Sequence, residues 1–186
     1  MRLFVAVELP EAVHEVIGRG LGVLRRDLPP SRWVRSEAMH LTLKFLGEQP
    51  EALVGKLEQR LTPHLAVLAP VAVSLGGGGF FPHPRRPRVA WLGGRAPGLE
   101  DWAAAVEEAT VACGVPAETR PFSLHLTLAR IERPWGVRAV DDFLHAVERW
   151  QFEPFIAREL VLFESRLQPG GAVYTAVRRW PVGGGG

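Results

Sequence analysis

The sequence predicts an α+β fold of two pseudo-symmetric lobes around one central groove, and three observations carry that expectation. Strand-like and helix-like patterns alternate along the chain, and neither class dominates. The tetrapeptide His-Leu-Thr-Leu occurs twice, starting at His40 and at His125, 85 residues apart in a chain of 186. In each half a helical pattern precedes that tetrapeptide and another follows it, which points to a duplicated unit. No stretch has the composition of a domain linker, so residues 1–182 are expected to form a single bilobal domain.

Taken in order, residues 2–9 alternate as a strand does, and Pro10 ends them. Val13, Val16, Ile17, Leu21 and Leu24 recur at helical spacing over 11–26, and Pro29-Pro30 closes that helix. Residues 32–35 and 40–46 read as strands, the second ending at Gly47. Pro50 starts a helix that carries Leu53, Leu57, Leu61 and Leu65 on one face. A β-rich run over 67–75 enters the glycines of 76–79, which read as a loop, and 88–92 is a strand stopped by Gly93-Gly94. Residues 99–113 form a helix with Trp102, Val106, Ala109 and Cys113 on its buried side. A strand over 123–131, a helix over 137–147 and strands over 156–164 and 173–179 complete the pattern.

The composition, 47% hydrophobic and 23% charged, is that of an ordinary globular protein, with disorder expected only in the glycine tail 183–186. Cys113 is the single cysteine, which excludes an intramolecular disulfide and a thiolate metal cluster. The apolar run at the N-terminus is interrupted by Glu8 and Pro10, and no later run approaches spanning length. A cytoplasmic protein with no membrane partner is therefore expected. The net charge of +2 does not by itself call for nucleic acid. Only Lys44 and Lys56 are lysines and asparagine is absent, a bias that arginine-mediated phosphate binding, a GC-rich genome or thermophily would each produce.

The repeated tetrapeptide carries the chemistry. With six His and six Thr in 186 residues, a chance His-x-Thr is expected roughly 0.2 times. Two copies with the same leucines are not coincidence. Side chains alternate along a strand, so His40 and Thr42 share one face, as do His125 and Thr127, while the leucines anchor the other. Opening a cyclic phosphate needs a base for water and an acid for the leaving oxygen. Imidazole titrates near 6.5, so one neutral and one protonated histidine can coexist around neutral pH. Threonine hydroxyls can donate to the non-bridging oxygens. A zinc site would need a further carboxylate or histidine at ligand spacing, which neither motif has, so no metal is expected.

The ordered set of motifs resembles the two-histidine phosphoesterase superfamily, specifically its RNA 2′,3′-cyclic phosphodiesterase branch, formerly named 2′-5′ RNA ligase. It includes Arg2-Leu3-Phe4-Val5-Ala6-Val7, Trp33-Val34, His40 through Glu48, Gly79-Phe80-Phe81-Pro82, Pro87 through Gly93, and Phe122 through Arg130. The resemblance implies antiparallel sheets from two lobes lining a groove with flanking helices. It also implies hydrolysis of an RNA 2′,3′-cyclic phosphate to a 2′-phosphate, without cofactor. His40 would then be the acid for the departing 3′ oxygen and His125 the base for water. Thr42 and Thr127 would hold phosphoryl oxygens, with Arg130 in support. The residues alone leave the two histidines interchangeable. Arg130 lies five residues after His125, so strict alternation sends it to the opposite face unless a bulge, twist or strand end intervenes.

Further candidates surround this set. Lys44 shares strand parity with His40 and Thr42, which allows it a phosphate or a solvated end. Phe80 and Phe81 can stack on a base or fill the core. The basic segment 83–88 reads as a loop that either tracks an RNA backbone or faces solvent. His14, His64 and His145 read as surface or helix-end residues, and Arg178-Arg179 as edge charge on the last strand. Two other functions use the same residues: 2′-5′ joining of a cyclic end to a 5′-hydroxyl, and RNA or nucleotide binding without turnover. Both motif pairs lie in one chain, so a monomer is expected.

Overall fold

The computed structural model describes residues 1–183. Its strands are β1 (Arg2–Val7), β2 (Arg32–Trp33), β3 (Leu41–Glu48), β4 (Val71–His83), β5 (Arg86–Arg95), β6 (Leu126–Arg130), β7 (Phe155–Ala157), β8 (Glu159–Gln168) and β9 (Gly171–Pro181). Its helices are α1 (Glu11–Asp27), α2 (Ala52–Leu65), α3 (Leu99–Ala112) and α4 (Val137–Glu148), with a 3-10 turn at Ser36–Ala38. The strands form two antiparallel sheets, β3-β1-β8-β9 and β2-β6-β5-β4-β7. One motif strand belongs to each sheet, which establishes the two-lobed α+β fold.

The helices change partners relative to chain order. α1 follows a strand of the first sheet but contacts α4, which packs on β4 of the second. α3 follows β5 of the second sheet but packs with α2 and against β3 of the first. The periodic leucines of α2 and Trp102, Val106 and Ala109 of α3 are buried as expected, whereas Cys113 caps α3 and is only partly buried. One buried cluster draws residues from both sheets and all four helices. A fully buried leucine in such a core contributes about 2 kcal/mol.

Two expected loops are strands. β4 continues through 76–79, with a bulge at Gly76-Gly77, where Gly77 takes a positive φ, followed by two glycines, Gly78 and Gly79, that serve packing. A Cβ on Gly79 would lie 2.2 Å from the Trp91 indole, so the bare backbone there lets a tryptophan from the neighbouring strand lie against it. The segment 83–88 is likewise a hairpin: His83 pairs with Arg86, leaving Pro84-Arg85 as the turn.

Both motif strands contain the same irregularity. In β3, Thr42 pairs with Ala6 and Lys44 with Val5, so Leu43 has no partner. In β6, Thr127 pairs with Trp91 and Ala129 with Ala90, so Leu128 has none. Each bulge reverses the facing of the residues that follow it. Lys44 consequently leaves the groove face, contrary to simple parity, and is buried with Val5 on the core side. Its Nζ stands 2.6 Å from Glu107 Oε2 of α3. The companion oxygen of Glu107 accepts the Glu118 N–H at 2.8 Å, so one carboxylate ties β3 to the segment leading to His125. Burial pushes the Glu107 carboxyl up, but Lys44 and the Glu118 amide outweigh it and leave it below the ordinary range.

At the C-terminus Gly183 donates its N–H to the Leu65 carbonyl at 3.0 Å. The rest of the tail expected to be disordered, 184–186, lies outside the described residues. Among the described residues no helix is long and apolar enough to cross a membrane.

Removing the half-buried carboxylate is costly because the Lys44 charge stays in the interior. Glu107→Ala is expected to lose on the order of 3 kcal/mol in urea unfolding. The double variant Lys44→Met/Glu107→Leu should recover most of that loss; equal losses in both would show that the charge is not the cause.

Candidate active site

The two histidines stand at equivalent places, each one residue before its strand begins. His40 follows the 3-10 turn, where Met39 is buried and fixes the approach to β3. His125 follows a segment held by the partly buried Phe122 and Leu124. The Nδ1–H of His125 donates to the Ser123 carbonyl two residues earlier, at 2.9 Å. A carbonyl only accepts, so Nδ1 carries the proton and Nε2 is left free. The Ala38 carbonyl, also two residues back, favours protonation of His40 in the same way.

A cleft between the lobes is lined by His40, Thr42 and Phe45 on one side, Leu126 and Thr127 on the other, and Tyr174 of β9. Three of the four motif residues are thus together. His125 does not line this cleft; its ring stands edge-on to Phe81, with centroids 5.1 Å apart. Arg130 pairs with Val89 and Thr127 with Trp91, two residues apart on β5, so the bulge at Leu128 returns Arg130 to the Thr127 face. The equivalent bulge brings Phe45, five residues after His40, to the Thr42 face, where it is 71% exposed. The lobes therefore match in backbone and differ in chemistry: arginine on one side, phenylalanine on the other. Of the paired phenylalanines, Phe80 is buried in the core and Phe81 faces the groove beside His125.

His40 sits in an aromatic nest. Its ring centroid is 4.3 Å from that of Phe163 and 5.6 Å from that of Tyr174, with Phe4 at 6.0 Å. Phe4, Ala6, Val161 and Phe163 form a small buried cluster on this face of the first sheet, separate from the main core. Burial pushes the His40 imidazole below its ordinary value, and the positive charge of His14 lowers it further. The Ala38 carbonyl and the Glu8 carboxylate act in the opposite direction without reversing the shift. Glu8 is held ionised by Arg179, whose Nη2 donates to it at 2.9 Å and whose other arm reaches Glu159 at 2.8 Å.

His14 is a correction to the sequence reading. It is half-buried rather than a surface residue, and its Nδ1–H donates to the Ser36 carbonyl at 2.7 Å. Arg179 likewise does more than charge an edge. Tyr174 and Phe163 carry no motif signal, and Phe4 enters only within the Arg2–Val7 motif; alternation in strands 2–9, 156–164 and 173–179 marks their faces, but nothing local says that these faces meet at His40. Among the described residues no group of three or more His, Cys, Asp or Glu is arranged to hold a metal ion.

Comparison with known proteins bears on the family and the fold. The family model described as LigT like Phosphoesterase matches residues 8–91 and 94–174. An RNA 2′,3′-cyclic phosphodiesterase of Thermus thermophilus is 35% identical, with 99% of this chain and 91% of that protein covered. The enzyme of the same name from Archaeoglobus fulgidus is 32% identical over 96% of this chain and 98% of its own. The crystal structure of the Thermus thermophilus protein TT0787 superposes with a TM-score of 0.78 at 29% identity, covering 99% of both chains. The chain belongs to the LigT-like phosphoesterase family.

The charges around His40 can be tested one at a time. His14→Gln removes a repulsive charge and should raise the His40 pKa. Glu8→Gln removes an attractive one and should lower it. NMR titration of the His40 ring reads both, and shifts in the same direction would refute the electrostatic account.

Proposed function

We propose that the protein hydrolyses RNA 2′,3′-cyclic phosphate ends to 2′-phosphomonoesters, with His40 and His125 as acid and base. The observation that carries this reading is the inter-lobe cleft lined by His40, Thr42 and Thr127. Relatives that share this architecture and bear the name RNA 2′,3′-cyclic phosphodiesterase support it. A reading of residues 1–182 as one monomeric unit is supported by one chain supplying both pairs and by a core cluster that spans both sheets. Cytoplasmic placement goes with an RNA substrate.

Water attacks phosphorus in line with the bond to O3′. Nε2 of His125, left free by the Nδ1–H bond to Ser123, takes the proton from water. As the P–O3′ bond breaks, His40 gives its proton to O3′, leaving a 3′-hydroxyl and a 2′-phosphate. The imidazoles then hold one proton between them as before, and exchange with solvent restores the starting arrangement. Thr42 and Thr127 hydroxyls donate to the non-bridging oxygens, and Arg130, on the Thr127 face, offsets their charge. These groups together supply acid, base and charge stabilisation without a metal.

The lowered His40 pKa has a kinetic signature. An acid must be protonated, so activity falls as pH rises through its pKa. In kcat/KM, which reports the free protein, that limb should lie below about 6.5. In kcat it should lie higher, because the bound phosphate anion favours the imidazolium.

The direct test is turnover of an oligoribonucleotide ending in a 2′,3′-cyclic phosphate, with EDTA present. A 2′-phosphate product is expected, with His40→Ala and His125→Ala each slower by about 10²–10⁴-fold. Thr42→Val or Thr127→Val should cost about 10²-fold. No product with wild type, alongside tight binding of the RNA, would leave a binding protein instead.

A further inference from the structure

We propose that the RNA strand leading to the reacting end lies along β9, in a groove beyond Tyr174, with Arg35 on its backbone phosphate. This rests on the hydrolysis described above, with His40 as the acid. In an in-line displacement the nucleophile and the leaving oxygen occupy opposite sides of phosphorus. The ribose, its base and every nucleotide 5′ to it are attached to the leaving side. With His40 protonating O3′, that side is the first lobe, and water enters from the His125 side.

The first lobe has a groove in the required place. It opens beside the cleft and shares Ala38, His40 and Tyr174 with it, then continues over Val173 and Thr175 of β9. Tyr174 lines both spaces, with its ring 5.1 Å from Phe4 and 5.6 Å from His40. A half-buried aromatic at the junction offers a surface on which the terminal nucleoside can stack. This groove is the larger of the two spaces, about 520 Å³ against about 110 Å³ for the cleft, which leaves room for more than one nucleotide.

Its two arginines differ in availability. Arg179 is engaged by Glu8 and Glu159. Arg35 makes no ion pair among the described residues; its Nη2 donates only to the Ala172 carbonyl, at 3.4 Å. That long contact holds the guanidinium against β9 and leaves its remaining donors for a phosphate. Glu37 is the other groove charge without an ion-pair partner among the described residues. The more obvious basic feature, Arg85 at the hairpin turn with Arg86 and Arg88 on β5, belongs to the second sheet. Its strand β4 leads to Phe81 and so to His125, on the side where water enters. It does not carry the strand.

The experiment compares kcat/KM on a trinucleotide ending in a 2′,3′-cyclic phosphate with that on a mononucleoside 2′,3′-cyclic phosphate. The wild-type ratio should exceed one. Arg35→Ala should lower the ratio about tenfold and reduce the salt dependence of trinucleotide KM by about 0.7 in log–log slope. Glu37→Gln should raise the ratio. Arg85→Ala/Arg86→Ala/Arg88→Ala should leave it at the wild-type value. A wild-type ratio near one, no change with Arg35→Ala, a fall with Glu37→Gln, or a fall in the hairpin variant each overturns the proposal. Failure of the wild type on both substrates instead removes the hydrolysis on which it rests.

Discussion

Each histidine motif carries a β-bulge at its last leucine, and the chemistry of the groove depends on those two insertions. Without them the alternation of a strand would put Lys44 beside Thr42 and Ala129 beside Thr127. With them, Phe45 and Arg130 take the groove positions, while Lys44 and Ala129 turn inward. The leucine next to each histidine, Leu41 or Leu126, is buried in the core and holds the register that makes the bulge specific. A one-residue slip would exchange the faces and expose these leucines, so burial and site geometry are set together.

The same backbone device then supports two different environments. Around His40 the groove is aromatic, and desolvation drives the imidazole toward its neutral form. Around His125 it is more open, with Arg130 on the shared face and Phe81 as the adjacent ring. The two histidines are therefore alike in backbone and unlike in surroundings. The difference comes from the residues behind them, contributed by β1, β8 and β9 on one side and by β4 and β5 on the other. Glu8, held by Arg179, and His14 adjust the balance at His40 through charge, in opposite directions.

Much of the fold is legible from local pattern. The leucine spacing of α2, the apolar face of α3 and the paired prolines that end α1 each follow from short-range sterics and periodicity. Readings failed where a residue serves a partner far away in sequence. The glycines of 76–79 have the composition of a loop, yet Gly79 is there to admit Trp91 from the next strand. His14 has an ordinary helical position, and only the Ser36 carbonyl and the nearby His40 make it part of the site. Lys44 reads as a phosphate contact or a solvated strand end, and only the fold shows Glu107 of α3 holding it in the interior.

By itself the sequence determined that two identical His-x-Thr strands exist, that they belong to related halves, and that paired imidazoles and hydroxyls suit phosphoester chemistry. Those conclusions need only residue type and spacing, which the covalent chain carries. The tertiary structure alone decided which side chains join them in the groove. That choice depends on unpaired residues within strands and on sheet order, which brings β8 and β9 next to β1. Pairing between strands more than a hundred residues apart is settled by the burial of the whole core, and no local stretch of sequence records it.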